Sequence, residues 1–117
     1  MSTTSYPELT DAISKQIGQL RKGIPDTMKG FSAMAQGATA TAALDEKTKE
    51  LIAMGIAIAL RCDGCIGFHT KSLVRLGTTR KEFEEMLGVA IYMGGGPSLM
   101  YAAQALDAWE QFGGQPK

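Results

Sequence analysis

The sequence runs to 117 residues, one modest domain's worth of chain, which can bury roughly two thirds of the surface it exposes when unfolded, so neither metal nor disulfides are required for stability. Twelve Lys+Arg balance twelve Asp+Glu at a formal net charge of zero, which removes the basic field that nucleic acid or an anionic membrane surface would need. With 44% hydrophobic and 21% charged residues, the composition is that of a globular chain and not of a disordered one.

Taken in chain order, the pattern is helical throughout. After Pro7, apolar residues fall at Leu9, Ile13, Ile17 and Leu20 between polar ones, which predicts an amphipathic first helix. Gly23-Ile24-Pro25-Asp26 breaks it, and Met28, Phe31 and Met34 mark a second helix, so that the two N-terminal helices cover 7–36. The small-residue stretch from Gly37 to Ala42 reads as a connector. Asp45 is the expected N-cap of a third helix, which turns apolar on every side from Leu51 to Leu60 and therefore belongs in a core or a subunit interface. That stretch falls far short of the ~20 residues a bilayer crossing needs. A fourth helix is expected from about the cysteines to Leu76, stopped by Gly77. Thr79 and Glu82 have capping-box spacing and open a fifth, with Phe83, Met86, Leu87, Ala90 and Ile91 as its apolar residues. Gly94-Gly95-Gly96-Pro97 ends it, and a sixth begins at Pro97, with Leu99, Ala102, Ala103, Leu106 and Trp109 expected to face inward, before a fraying tail GGQPK. The expected fold is all-α, about six helices in one domain over 1–117, without repeats or strand alternation. The N-terminus shows no basic region followed by an apolar run, so a cytoplasmic protein is expected.

The chemistry-bearing residues cluster in the middle. Cys62, Cys65 and His69 follow one another at three and four residues, so on a helix they form one stripe. Glu50 lies twelve residues before Cys62, about 18 Å along a continuous helix, and joins them only if the third and fourth helices form an antiparallel pair. Cysteines at a helix start gain from the positive end of its dipole, which stabilises thiolate, the nucleophilic form. His69, one turn beyond Cys65, is placed to take its proton, and Glu50 to orient the imidazole. A Cys65 oxidised to sulfenic acid would have Cys62 close enough to condense with it as a disulfide. Arg61 and Asp63 pull on the thiol charge in opposite directions. Each residue also has a plainer reading: the cysteines as small buried hydrophobes, His69 as a structural imidazole, Glu50 as a solvated member of EKTKE. Two Cys, a His and a Glu would also make four zinc ligands, but a helix stripe presents them too linearly, and no metal or cofactor is expected. The GGGP turn lacks the Gly-Lys-Ser/Thr of a phosphate cradle. Nothing places Phe68, Tyr92 or Tyr101 in a pocket, and of the seven methionines Met28, Met34, Met54, Met86, Met93 and Met100 suggest a pliant pocket or interface, with ordinary core filling the favoured reading.

Glu50, eleven residues, Cys62-x-x-Cys65, three residues, His69 resembles the active-site motif of alkylhydroperoxidase D-like proteins in the carboxymuconolactone decarboxylase family. The flanking stretches DEKTKELIA and LGVAIYMGGGPSLMYAAQAL are similar too, so the resemblance covers about residues 44–112. It implies an all-α fold, homo-oligomers (trimers or hexamers), and a CxxC that reduces small hydroperoxides or exchanges disulfides with a dithiol, thioredoxin or lipoyl-type reductant. It makes Cys65 the attacking thiol, Cys62 its resolving partner, and His69 with Glu50 the proton relay. One departure stands out: peroxidase members can carry a further histidine just before the second cysteine, where this chain has Gly64. True decarboxylase members generally resemble one another without this CxxC, so its presence argues for the redox branch; a cofactor-free lyase with His69 as base is the alternative enzyme, and an inert, partner-binding member the non-enzyme one.

Overall fold

The computed structural model describes residues 4–117 and contains five helices: α1 (Tyr6–Gly23), α2 (Pro25–Thr39), α3 (Glu46–Ala59), α4 (Asp63–Arg75) and α5 (Arg80–Gln111). Among the described residues there is no strand, so the all-α expectation is met. The first three residues of the expected 1–117 domain lie outside the described ones. No helix of the described residues is long and apolar enough to cross a membrane.

Five helices stand where six were expected because the glycine run bends the last one without ending it. Gly95 alone leaves helical geometry (φ 70°, ψ −149°), and with Pro97 just beyond it, the predicted fifth and sixth helices become the two arms of a kinked α5. The second correction concerns the connector: alanine-rich residues sustain helix through Thr39, so only 40–45 link α2 to α3. The tail does not fray either. Trp109 Nε1 donates to the Gln115 carbonyl at 2.9 Å, and the Arg80 N–H donates to Gln115 Oε1 at 3.0 Å.

The remaining boundaries follow their signals. Asp45 accepts from the Thr48 N–H at 2.8 Å, and Thr79 and Glu82 form a full capping box. Glu82 does more than cap: one carboxylate oxygen accepts from the Thr79 N–H and the other from Lys47 Nζ at 2.8 Å, which ties α5 to the start of α3.

The core lies where α3, α4 and α5 meet. Met54 and Ile58 of α3, Ile66 and Leu73 of α4, and Phe83, Leu87 and Trp109 of α5 are buried there, with the Phe83 and Trp109 ring centroids 4.6 Å apart. Ala102, Ala105 and Ala108 let the second arm of α5 approach closely, whereas Leu99 and Ala103, expected inward, are exposed because the buried stripe of this arm runs through Ser98, Ala102, Ala105, Ala108 and Trp109. α1 joins through Tyr6 and Thr10, both fully buried, and its first turn is pinned by the Tyr6 N–H donating to Gln111 Oε1 at 2.7 Å. The apolar stripe that marked this helix is only half-buried, and its Leu20 is exposed. α3 likewise buries one face, Glu50, Met54, Ala57 and Ile58, and leaves Ile52, Ile56 and Leu60 in the open.

Candidate active site

A three-residue turn between α3 and α4 creates the site. At its centre Arg61 adopts φ 56°, the left-handed conformation that ordinarily falls to glycine. Its N–H donates to the Ile58 carbonyl and the Cys62 N–H to the Ala57 carbonyl, both at 3.1 Å, the bond pair that closes a helix and reverses the chain. α4 and α5, capped by Leu76 and Phe112, end in the same way, with Gly77 (φ 75°) and Gly113 (φ 76°) at the corresponding position. The reversal sends α4 back along α3, as the Glu50 register requires.

Cys62 is the last residue of this turn and the N-cap of α4, with Sγ accepting from the Cys65 N–H at 3.2 Å. Cys62 and Cys65 are joined by a disulfide, with a Cα–Cα distance of 5.2 Å. Both residues are partly exposed, at the end of α4 where unpaired N–H groups favour negative charge.

One turn further along α4, His69 Nδ1 stands 2.6 Å from Glu50 Oε2. Glu50 is 6% exposed, whereas about a third of the His69 side chain reaches solvent. A buried carboxylate so close to a ring nitrogen accepts the Nδ1–H, which fixes the imidazole's orientation and leaves Nε2 for proton exchange. The other charged residues of EKTKE are engaged elsewhere: Glu46 with Arg75 at 3.2 Å, Lys47 with Glu82, and Lys49 Nζ with the Ala40 carbonyl at 2.7 Å. Glu50 alone turns inward. The four residues singled out by spacing therefore sit on one helical hairpin, the cysteines bonded to each other and His69 bonded to Glu50.

The contribution of α1 was not anticipated. A Cβ at Gly67 would come within 2.7 Å of Thr10 Cγ2, and one at Gly64 within 2.8 Å of Ile13 Cδ1. α1 therefore lies against the glycine side of the cysteine turn, and Ile13 takes the space that a side chain at position 64 would enter. The signal was present: glycines three apart on one helix mark where another element comes close. Tyr6, under the same contact, has its hydroxyl pushed up to about 12 by burial first and then by the negative charges of Asp63 and Asp107. It remains neutral and donates to Gln104 Oε1 at 3.3 Å.

Other residues lie apart from the site. Tyr92 is exposed, Tyr101 packs against the core, and of the described methionines Met54 is buried, Met28 and Met86 are half-buried, and Met34, Met93 and Met100 are exposed. Among the described residues, no three His, Cys, Asp or Glu side chains form a group able to hold a metal ion.

Comparison with known proteins places this geometry. The model of the carboxymuconolactone decarboxylase family matches residues 25–108. An uncharacterised protein of Cupriavidus necator is 40% identical over 91% of this chain and 93% of its own, and one of Haemophilus influenzae 33% identical over 91% and 94%. A crystal structure of a carboxymuconolactone decarboxylase family protein from Legionella pneumophila superposes with a TM-score of 0.90 at 57% identity, covering 92% of this chain and 96% of that one. A family protein from Thermotoga maritima, for which involvement in an antioxidative response has been suggested, gives a TM-score of 0.78 at 27% identity over 89% and 88%. Sequence match, fold and the CxxC hairpin agree: the chain belongs to the carboxymuconolactone decarboxylase family.

Proposed function

We propose that the protein is a thiol-disulfide oxidoreductase with alkylhydroperoxidase-type activity, reducing organic hydroperoxides through Cys65 and Cys62 with His69 and Glu50 as the proton relay. The observation that carries this reading is a CxxC disulfide at a helix start, one turn from an imidazole held by a buried carboxylate. In the reduced protein His69 takes the Cys65 proton. The Cys65 thiolate attacks the distal hydroperoxide oxygen, the O–O bond breaks, and the departing alkoxide receives the proton back from His69, giving alcohol and a Cys65 sulfenic acid. Cys62 then attacks the sulfenic sulfur and expels water, giving the disulfide. A dithiol of thioredoxin or lipoyl type supplies the two electrons and two protons that restore both thiols, and a cytoplasmic setting, with its reduced thiol pool, suits that step. With glycine at position 64 and His69 the chain's one histidine, the relay runs through a single imidazole, and because Ile13 covers the Gly64 side, substrate approaches from the face away from α1. The antioxidative role suggested for the Thermotoga maritima relative points the same way.

The capping geometry favours a second reading, disulfide exchange through Cys62. Its sulfur is the N-cap acceptor, so the helix start stabilises thiolate there and makes it a good leaving group and nucleophile toward a protein disulfide. Steady-state consumption of an organic hydroperoxide with a dithiol reductant separates the two. The peroxidase reading predicts that Cys65→Ser abolishes turnover, and undiminished consumption by that variant overturns it. Under the exchange reading, Cys65→Ser accumulates a mixed disulfide on Cys62 with a model disulfide substrate.

A further inference from the structure

We propose that Arg61 is a specificity-determining residue of the thiol site, selecting reactants that carry a carboxylate. Three helices of the fold end in a left-handed residue. α4 and α5 use Gly77 and Gly113 there, whereas α3 uses Arg61 at φ 56°, the one non-glycine residue with positive φ among those described. An L residue in that region crowds its own Cβ against the backbone, a cost that glycine avoids. A cation just past α3 complements the negative end of the helix dipole, but an exposed charge gains less there than left-handed strain costs. The turn itself gives no reason for arginine, since its two closing bonds come from the backbone N–H groups of Arg61 and Cys62. Strain retained beside reactive groups points to the side chain as its reason.

That side chain is free to act on a reactant. Arg61 is exposed, and its guanidinium has no hydrogen bond or ion pair among the described residues, whereas Arg75 is held by Glu46 and Arg80 by Glu84 and Glu110. The fourth arginine, Arg21, belongs to the last turn of α1. Arg61 immediately precedes Cys62, so the guanidinium springs from the same turn that presents the disulfide. From Glu50 to Thr70 it is the one permanent cation of the hairpin. The two carboxylates of that span are engaged elsewhere: Glu50 is buried against His69 Nδ1, and Asp63 lies near enough to act on the buried Tyr6 hydroxyl of α1. An anionic reactant arriving at the sulfurs therefore finds an unpaired guanidinium beside them.

A guanidinium offers two parallel N–H donors that match the two oxygens of a carboxylate. Under the dithiol reading above, on which this choice of substrate rests, the favoured class is organic hydroperoxides bearing a carboxylate. The carboxylate binds Arg61 while the O–O bond is broken at Cys65, and Arg61 neither gives nor takes a proton.

The experiment compares reagents of like size that differ by a negative charge, on the parent and on Arg61→Lys, Arg61→Gln and Arg61→Gly. Arg61→Gly supplies the residue that the turn itself prefers, so loss of fold does not obscure the result. Intact mass follows the first alkylation of the fully reduced protein by iodoacetate and by iodoacetamide. Both lose iodide to the same thiolate, so their rate ratio cancels any change in thiol pKa and reports the attraction of the anion alone. The ratio should fall about three- to fivefold in Arg61→Gln and Arg61→Gly, the size of an exposed ion pair, and be largely kept in Arg61→Lys. It should also fall in the parent at about 1 M salt, where charges are screened beyond about 3 Å. Steady-state reduction of a carboxylate-bearing hydroperoxide against its methyl ester should give the same ordering. An unchanged ratio in Arg61→Gln overturns the proposal, as does a fall seen only in Arg61→Gly, which would belong to the shape of the turn. Equal slowing with both alkylating reagents overturns it too, and makes Arg61 a group that lowers the thiol pKa instead. Alkylation needs no peroxidase activity, so a protein that shows the expected alkylation ratios and consumes neither hydroperoxide refutes the peroxidase reading while supporting Arg61 as the selecting group.

Discussion

Glu50→Gln isolates the carboxylate's charge from its shape. The side chain is 8% exposed and its oxygen lies 2.6 Å from His69 Nδ1, so the glutamine amide keeps the place and can keep a hydrogen bond. What is lost is the charge assistance. It matters little while the imidazole is neutral and most once His69 has taken the Cys65 proton, because a cation then faces a buried, formerly anionic partner. Hydrogen bonds to charged groups contribute about 1.5–3 kcal/mol, against about 1 kcal/mol for neutral ones. Taking about 2 kcal/mol for the difference in the protonated state gives roughly a 30-fold slower step, since 1.4 kcal/mol is a factor of ten. Stability should fall by less than about 1 kcal/mol. The assay is the rate at which the freshly reduced protein is alkylated at Cys65, and its rate of hydroperoxide reduction, in the parent, Glu50→Gln, His69→Ala and the double variant. Glu50→Gln should cost the parent roughly 30-fold and the His69→Ala protein almost nothing, because a positioning group has no effect once the group it positions is gone. An unchanged rate in the single variant, or an equal loss in both backgrounds, refutes the relay.

Three further outcomes follow from the geometry around the hairpin. Arg61→Gly should raise stability by about 0.5–1 kcal/mol, as relief of the left-handed strain, about 1–2 kcal/mol, outweighs the entropy glycine adds to the unfolded chain; urea unfolding midpoints read this, and a loss would show that the Arg61 side chain stabilises more than its backbone costs. Gly67→Ala, which in an open helix would gain about 1 kcal/mol, should instead cost about 1–3 kcal/mol, because Thr10 Cγ2 stands 2.7 Å from the new methyl and the Thr10 hydroxyl is held by the Tyr6 and Pro7 carbonyls; thermal denaturation gives the sign, and a stabilised variant would contradict the close packing of α1. Tyr6, with its pKa raised to about 12 from an ordinary 10, contributes stability that is complete below pH 10 and is lost as pH rises toward 12; the parent should lose stability over that window more steeply than Tyr6→Phe, and equal slopes would show that Tyr6 titrates as in the unfolded chain.

The sequence was most legible where chemistry and helical period coincide. The intervals between Cys62, Cys65 and His69 already place them on one face, and the inward position of Glu50 follows once the chain is known to reverse. The reversal itself was faintly signalled, because Arg61 performs the turn that glycine performs after α4 and α5. The glycine run in α5 misled in the opposite direction: one residue in φ 70° bends a helix that its neighbours continue. The end of α2 was missed because alanine-rich chain is equally compatible with helix, and the docked tail because one indole N–H reaching a backbone carbonyl leaves no periodic trace. Helical periodicity also overstated burial. It identifies an apolar face, as in α2 and on the outer side of α3, but not whether the chain itself or another molecule covers it.

The central claim, a hydroperoxide-driven dithiol cycle, is tested most directly by intact mass. The protein is fully reduced, freed of reductant and given one equivalent of an organic hydroperoxide, alongside Cys62→Ser and Cys65→Ser. The parent should lose two hydrogens rapidly, the Cys62→Ser variant should gain one oxygen as a trappable sulfenic acid, and the Cys65→Ser variant should not change. A parent whose mass stays constant over minutes contradicts the peroxidase cycle, and a sulfenic acid that appears only in Cys65→Ser reverses the order of the two cysteines.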